Sequence, residues 1–173
     1  KEGAEFQSLN LNQKVYYHVV GTSQSEDRLI YERPDHPEWG FNADVSEDGH
    51  YLVLTIWKGT DDRYRVVVQD LTQQDSQPVD LITDFDYEYS FVGNVGSRLF
   101  FKTNLDAPLR RVVSIDVGSN QNPAVKEVVS ETKDTLTSAG IVGGLIVGRY
   151  LKDARTAVKF YSLEGEFVRE VAF

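Results

Sequence analysis

Three histidines, one acidic run and one glycine cluster are where this 173-residue sequence could concentrate chemistry. His18, His36 and His50 would each serve as a general base or a metal ligand if a carboxylate or a second imidazole stood beside them. His18 falls inside an alternating strand pattern and His50 directly follows a turn glycine, so structural or surface roles are expected for all three. Asp80, Asp84, Asp86 and Glu88 form the best candidate for a metal, but they lack the ligand spacing and turn glycine of a calcium loop. They read as a solvated strand end, and no metal site is expected. Gly140, Gly143 and Gly144 would suit a phosphate cradle only if they opened a helix after a strand, which the surrounding pattern does not offer. They read as turn and close-packing positions. There is no Gly-x-Ser-x-Gly elbow and no cysteine, so a nucleophile elbow, a disulfide and a thiolate zinc site are all excluded. No cofactor is implied.

Charge narrows the partners. The chain carries 18 Lys+Arg against 27 Asp+Glu, a formal net charge of −9, and its nearest approach to a basic cluster is Arg110-Arg111. Nucleic acid and anionic membrane surfaces are therefore excluded as partners. The longest apolar run, Ile141 to Val147, is interrupted by glycines and falls far short of the roughly 20 residues that span a bilayer. The sequence has no Met, so Lys1 is not a translation start, and the chain is expected to be a piece of a longer one. Among the aromatics, Trp39 and Trp57 stand at strand ends, where a ring either seals two layers or meets a ligand. Tyr16-Tyr17 and Phe100-Phe101 are expected to pack between layers.

The elements that must position these residues are strands. Short runs rich in Val, Ile, Tyr and Phe alternate with period 2 and are punctuated by turn clusters such as Ser46-Glu47-Asp48-Gly49, Gly59-Thr60-Asp61-Asp62 and Gly118-Ser119-Asn120. Only Glu127 to Ala139 offers room for a short helical turn, without an amphipathic stripe. The run Arg65 to Leu71 returns 46 residues later as Arg111 to Val117 and again, at the same step, around Val158 to Leu163. Val79, Val125 and Val171 keep that step, while Gly49, Gly96 and Gly143 recur every 47 residues. A period of this length with room for four strands marks a β-propeller blade. The expected fold is all-β, about three and a half four-stranded antiparallel blades: a half blade over 1–36 with strands at Lys14–Val20 and Arg28–Glu32, then blades over 37–86, 87–132 and 133–173. The Trp-Asp signature of one common blade class is absent.

Several motifs carry a family resemblance. Gln13-Lys14-Val15-Tyr16-Tyr17-His18, Gly21-Thr22, Gln24-Ser25-Glu26-Asp27 and Leu29-Ile30-Tyr31-Glu32 are followed by Pro37-Glu38-Trp39, Lys58-Gly59-Thr60, Phe91-Val92-Gly93-Asn94, Phe101-Lys102-Thr103-Asn104 and Tyr150-Leu151-Lys152-Asp153-Ala154. Over nearly its whole length the chain resembles the β-propeller of the prolyl oligopeptidase family of serine peptidases. The resemblance implies a fragment of a seven-bladed propeller that caps an α/β-hydrolase domain of the same parent chain, absent here, where a Ser-Asp-His triad would lie. It implies cleavage of short proline-containing peptides, with the propeller excluding folded proteins. It carries three substrate-binding positions onto Gly40, Trp57 and Thr60. Family members can have a larger side chain at the first and Arg at the second, so apolar stacking is expected here in place of a polar contact. The chain alone is expected to have no catalytic residues, and the cytoplasm is the expected compartment, with the periplasm as alternative.

Two other readings compete. An oligopeptidase B-like peptidase would share Gly-Thr-x-Gln-Ser-Glu-Asp and differ in the hydrolase domain; a non-enzymatic propeller would bind a protein or peptide as a scaffold. Because twice three and a half is seven, two copies could also pair through open blade edges into a closed homodimeric ring.

Overall fold

The computed structural model describes residues 10–118 and 124–172. The expected turn at Gly118-Ser119-Asn120 therefore lies partly outside the described residues, as does the start of the half blade.

Among the described residues fourteen strands run in chain order: β1 Lys14–Tyr17, β2 Arg28–Glu32, β3 Trp39–Val45, β4 Tyr51–Lys58, β5 Arg65–Asp70, β6 Val79–Ile82, β7 Tyr89–Val95, β8 Arg98–Thr103, β9 Arg111–Asp116, β10 Val125–Val129, β11 Thr135–Val142, β12 Leu145–Lys152, β13 Arg155–Tyr161 and β14 Phe167–Ala172. They form a two-stranded sheet, β1-β2, and three four-stranded meanders, β3-β4-β5-β6, β7-β8-β9-β10 and β11-β12-β13-β14. Every pairing is antiparallel. This is an all-β propeller fragment with a half blade and three full blades.

Alternation along each strand explains why the blades stack. In β4, Val53 joins Val66, Val68, Tyr89, Leu99, Phe101, Val113 and Ile115 in a core between the β3–β6 and β7–β10 blades. Its neighbours Leu52, Leu54 and Ile56 point the other way and pack with Trp39, Val15, Ile30 and Tyr31 against the half blade. The pair Phe100-Phe101 divides in the same way: both are fully buried, Phe101 toward the preceding blade and Phe100 toward the following one with Leu136, Ile146 and Tyr150. A strand buried on both faces belongs to two cores at once, which is what a stack of thin sheets requires. The first strands of the second and third full blades, β7 and β11, touch each other, which puts the first strand of each blade on the inside of the stack.

The turn glycines at 49, 96 and 143 each close a first-to-second-strand hairpin with φ of 75°, 55° and 58°. Elsewhere the sequence pattern and the structure part. Glu127 to Ala139 holds no helical turn; it is divided between β10 and β11 because its alternating residues find cross-strand partners. Among the described residues the one helical turn is a 3₁₀ segment, Gln24–Glu26, where the Ser23 hydroxyl and the Glu26 carboxylate cap each other's backbone N–H groups. The strand expected over Lys14–Val20 stops at Tyr17, so His18 lies just past it. Tyr16 and Tyr17, expected to pack between blades, are 51% and 57% exposed in this chain, on the edge half blade, and Tyr17 carries the Arg28 guanidinium over its ring. Val171 keeps the spacing but not the place of Val79 and Val125. Those two open β6 and β10, whereas Val171 lies near the end of β14, because the preceding turn is shorter in the third full blade.

Candidate functional site

The three positions that the resemblance marks as substrate-binding, Gly40, Trp57 and Thr60, lie at one corner of the first full blade. In the β3–β4 ladder Gly40 lies opposite Trp57, Asn42 opposite Thr55 and Asp44 opposite Val53. Directly opposed residues project from the same face of a sheet. This face is the one turned toward the next blade, since Val53 belongs to that core. Gly40 is buried and Trp57 half-buried. The Nε1–Cζ2 edge of the indole lies over Gly40, so that a methyl group at position 40 would sit 2.5 Å from Cζ2 and 2.6 Å from Nε1. The glycine is the space that the tryptophan ring uses.

Trp57 and the exposed Thr60 then share a cavity of about 430 Å³ with Asn42, Asp44, Thr55, Asp61, Asp62 and Tyr64 of the first full blade and Ser90 and Phe91 of the second. Gly40 supports this cavity from behind Trp57 and does not line it. The turn that follows β4 is set by the Asp61 N–H, which donates to the Lys58 carbonyl at 3.1 Å. Asp61 then accepts from the Arg63 backbone N–H at 3.0 Å and from Arg63 Nε at 2.9 Å. The Arg63 guanidinium holds its carboxyl at about 2, so it is ionised at any physiological pH. Asp44 accepts from Asn42 Nδ2 at 2.7 Å. Burial, and then the charge of Glu88, push the Tyr64 phenol up.

Glu88 departs from the sequence reading. It was expected at a solvated strand end, but it is 5% exposed and pairs with Lys102 Nζ at 2.7 Å and Arg110 Nε at 2.6 Å. Lys102 also donates to the Thr137 carbonyl at 3.1 Å, tying the second full blade to the third. Burial pushes the Glu88 carboxyl up, but the hydrogen bonds from Lys102 and Arg110 outweigh it and leave it below its ordinary value. Trp39 is a seal: 3% exposed, stacked on His36 at 3.9 Å and set edge-on to Phe85 at 5.2 Å.

Among the described residues no nucleophile is assembled with its base. His18 pairs with Asp27 at 2.6 Å near the surface. Ser46, Asp48 and His50 do converge, but in the wrong order: the Ser46 hydroxyl donates to Asp48 Oδ1 at 2.7 Å, with His50 Nδ1 3.4 Å from Asp48 Oδ2. A triad needs the imidazole between the other two. The same carboxylate accepts from Asn94 of the next blade at 2.7 Å, so this turn serves blade stacking. Among the described residues no group of three or more His, Asp or Glu side chains is arranged to hold a metal ion, and no helix is long and apolar enough to cross a membrane. What the corner can do is bind: an aromatic wall, hydroxyls and carboxylates around an open cavity.

The profile described as "Prolyl oligopeptidase, N-terminal beta-propeller domain" matches residues 1–173. The chain is 31% identical over 171 residues to a prolyl endopeptidase of Elizabethkingia meningoseptica, covering 99% of this chain and 24% of the relative. A solved structure from an analysis of two prolyl endopeptidases superposes with a TM-score of 0.89 at 36% identity, over 95% of this chain and 24% of that one. Prolyl oligopeptidase B from Galerina marginata, bound to a 35mer hydrolysis and macrocyclization substrate, gives a TM-score of 0.87 at 30% identity, over 94% and 23%. The chain thus spans about a quarter of the length of these relatives.

Proposed function

The chain belongs to the N-terminal β-propeller domain family of the prolyl oligopeptidases, and from that premise we propose that it is the non-catalytic, substrate-gating propeller portion of a serine endopeptidase that hydrolyses Pro-Xaa bonds in short peptides. The bond is broken elsewhere, in an α/β-hydrolase domain of the same parent chain that supplies the Ser-Asp-His triad. The propeller admits extended peptides, excludes folded proteins and holds the part of the peptide remote from the scissile bond.

One observation carries this reading. Gly40, carried over from the Pro-x-Trp motif, backs the Trp57 ring, and Trp57 and Thr60, carried over from the strand-end turn, line one inter-blade cavity. An indole backed by a glycine is a rigid stacking surface for a proline ring or a peptide plane, and holding a substrate this way lowers KM without touching the chemical step. Trp57→Ala in the full-length enzyme is therefore expected to raise KM for peptides of eight or so residues while leaving dipeptide-sized substrates unchanged. Equal effects on both lengths would make Trp57 a blade seal and remove the reading.

A further inference from the structure

Resting on that peptide-binding reading, we propose that the cavity beside Trp57 selects peptides that carry a cationic side chain, Lys or Arg, on the part remote from the scissile bond. Three of its ten lining residues, Asp44, Asp61 and Asp62, are carboxylates, and none is Lys, Arg or His. The nearby cations are already engaged. Arg63 forks onto Asp61, and Lys58 lies over the Phe85 ring at 4.5 Å. Arg63 is bonded to Asp61 and lies close enough to Asp62 to feel its charge, so one guanidinium stands against three carboxylates and the cavity stays negative; among the described residues Asp44 accepts from the neutral amide of Asn42.

The same wall carries the indole of Trp57 and the rings of Tyr64 and Phe91. Aromatic faces beside carboxylates favour a guanidinium or ammonium over a neutral group of equal size, because the ring quadrupole and the carboxylate act on the same charge. The chain's net charge of −9 adds a long-range bias of the same sign. Gly40 matters here too: a larger side chain there would push the indole off the wall. An anionic peptide would face these carboxylates and gain stacking alone.

The test uses the full-length enzyme and three families of otherwise identical proline-containing peptides, with Lys, norleucine or Glu placed in turn at each position of the peptide beyond the two residues of the Pro-Xaa bond. Both kcat/KM and equilibrium binding of fluorescein-labelled peptides by anisotropy are read. At one or more positions Lys should exceed norleucine by about five-fold, through KM, with Glu lowest, and the gap should narrow in high salt. Asp44→Asn with Asp62→Asn should abolish the preference, a melting curve reporting that the variant is folded. Equal values for the three peptides at every position, or a preference that survives the double substitution, would overturn the proposal. The two readings fail separately. A flat charge series with a KM increase for long peptides in Trp57→Ala keeps the gating reading and removes this one. An Asp62-dependent Lys preference in binding, without cleavage after proline, does the reverse.

Discussion

Trp57 lies across Gly40 in the β3–β4 ladder, and the two positions share one side chain's worth of space. Gly40→Ala should displace the indole and cost about 1–3 kcal/mol, the usual range for overpacking. The loss comes from overlap with the ring, so it should fall below about 1 kcal/mol in a Trp57→Ala background. Denaturant unfolding of the two single variants and the double variant measures the coupling, and tryptophan emission should shift to the red in Gly40→Ala alone. Additive losses would separate the two residues.

Glu88 is the buried anion of a three-membered charge cluster, and Glu88→Gln should destabilise the protein by about 3 kcal/mol at neutral pH by leaving Lys102 and Arg110 without their counter-charge. The pH dependence has a definite sign. The folded carboxyl titrates below its ordinary value of 4.5, so its contribution is fully present above that pH and is lost as pH falls through the lowered folded value. The stability difference between the native protein and Glu88→Gln should therefore be constant from pH 7 down to about 5 and shrink below that. A difference that stays constant into acid would show that Glu88 titrates alike folded and unfolded.

Phe100 and Phe101 are adjacent in sequence and belong to different cores. Each change to Ala should cost about 3–5 kcal/mol, because each removes a fully buried ring. The location of the damage should differ. Hydrogen exchange should rise in β4 and β5 for Phe101→Ala and in β11 to β13 for Phe100→Ala. Identical exchange maps would argue for one common core in place of a stack.

These contrasts show why the fold was easier to read from the sequence than the site. A strand's alternation is local, and blades that stack on both sides repeat it at a fixed spacing, so the glycines at 49, 96 and 143 already mark the hairpins. The period weakens where turns change length, and Val171 keeps its spacing while losing its place in the ladder. Alternation also says which residues share a face without saying what covers that face: Phe100 and Phe101 are buried, whereas Tyr16 and Tyr17, an equally aromatic pair, are exposed. Glu88 lies in an acidic run, but its burial depends on Lys102 and Arg110, fourteen and twenty-two residues away, which only the folded ladder brings beside it. Gly40 and Trp57 came from family motifs; that one fills the other's space follows from register, which spacing alone does not reveal.

Gly165 tests how blades are held at their outer turns. It sits between β13 and β14 with φ of 90°, in the left-handed region that side chains rarely adopt, and a Cβ there would overlap the Val128 carbonyl oxygen of the preceding blade. The turn is fixed from both sides, since the Gly165 N–H donates to the Ser162 carbonyl at 3.0 Å and the Ser162 N–H to the Glu166 carbonyl at 2.8 Å. Gly49 has a comparable φ of 75° but open space around it, so Gly49→Ala should cost only backbone strain, about 1 kcal/mol. Gly165→Ala adds the overlap and should cost at least about 2 kcal/mol, with β14 the first strand to lose exchange protection. Equal losses at the two glycines would mean that the turn moves off β10 freely, and that the contact with Val128 does not hold the third full blade to the second.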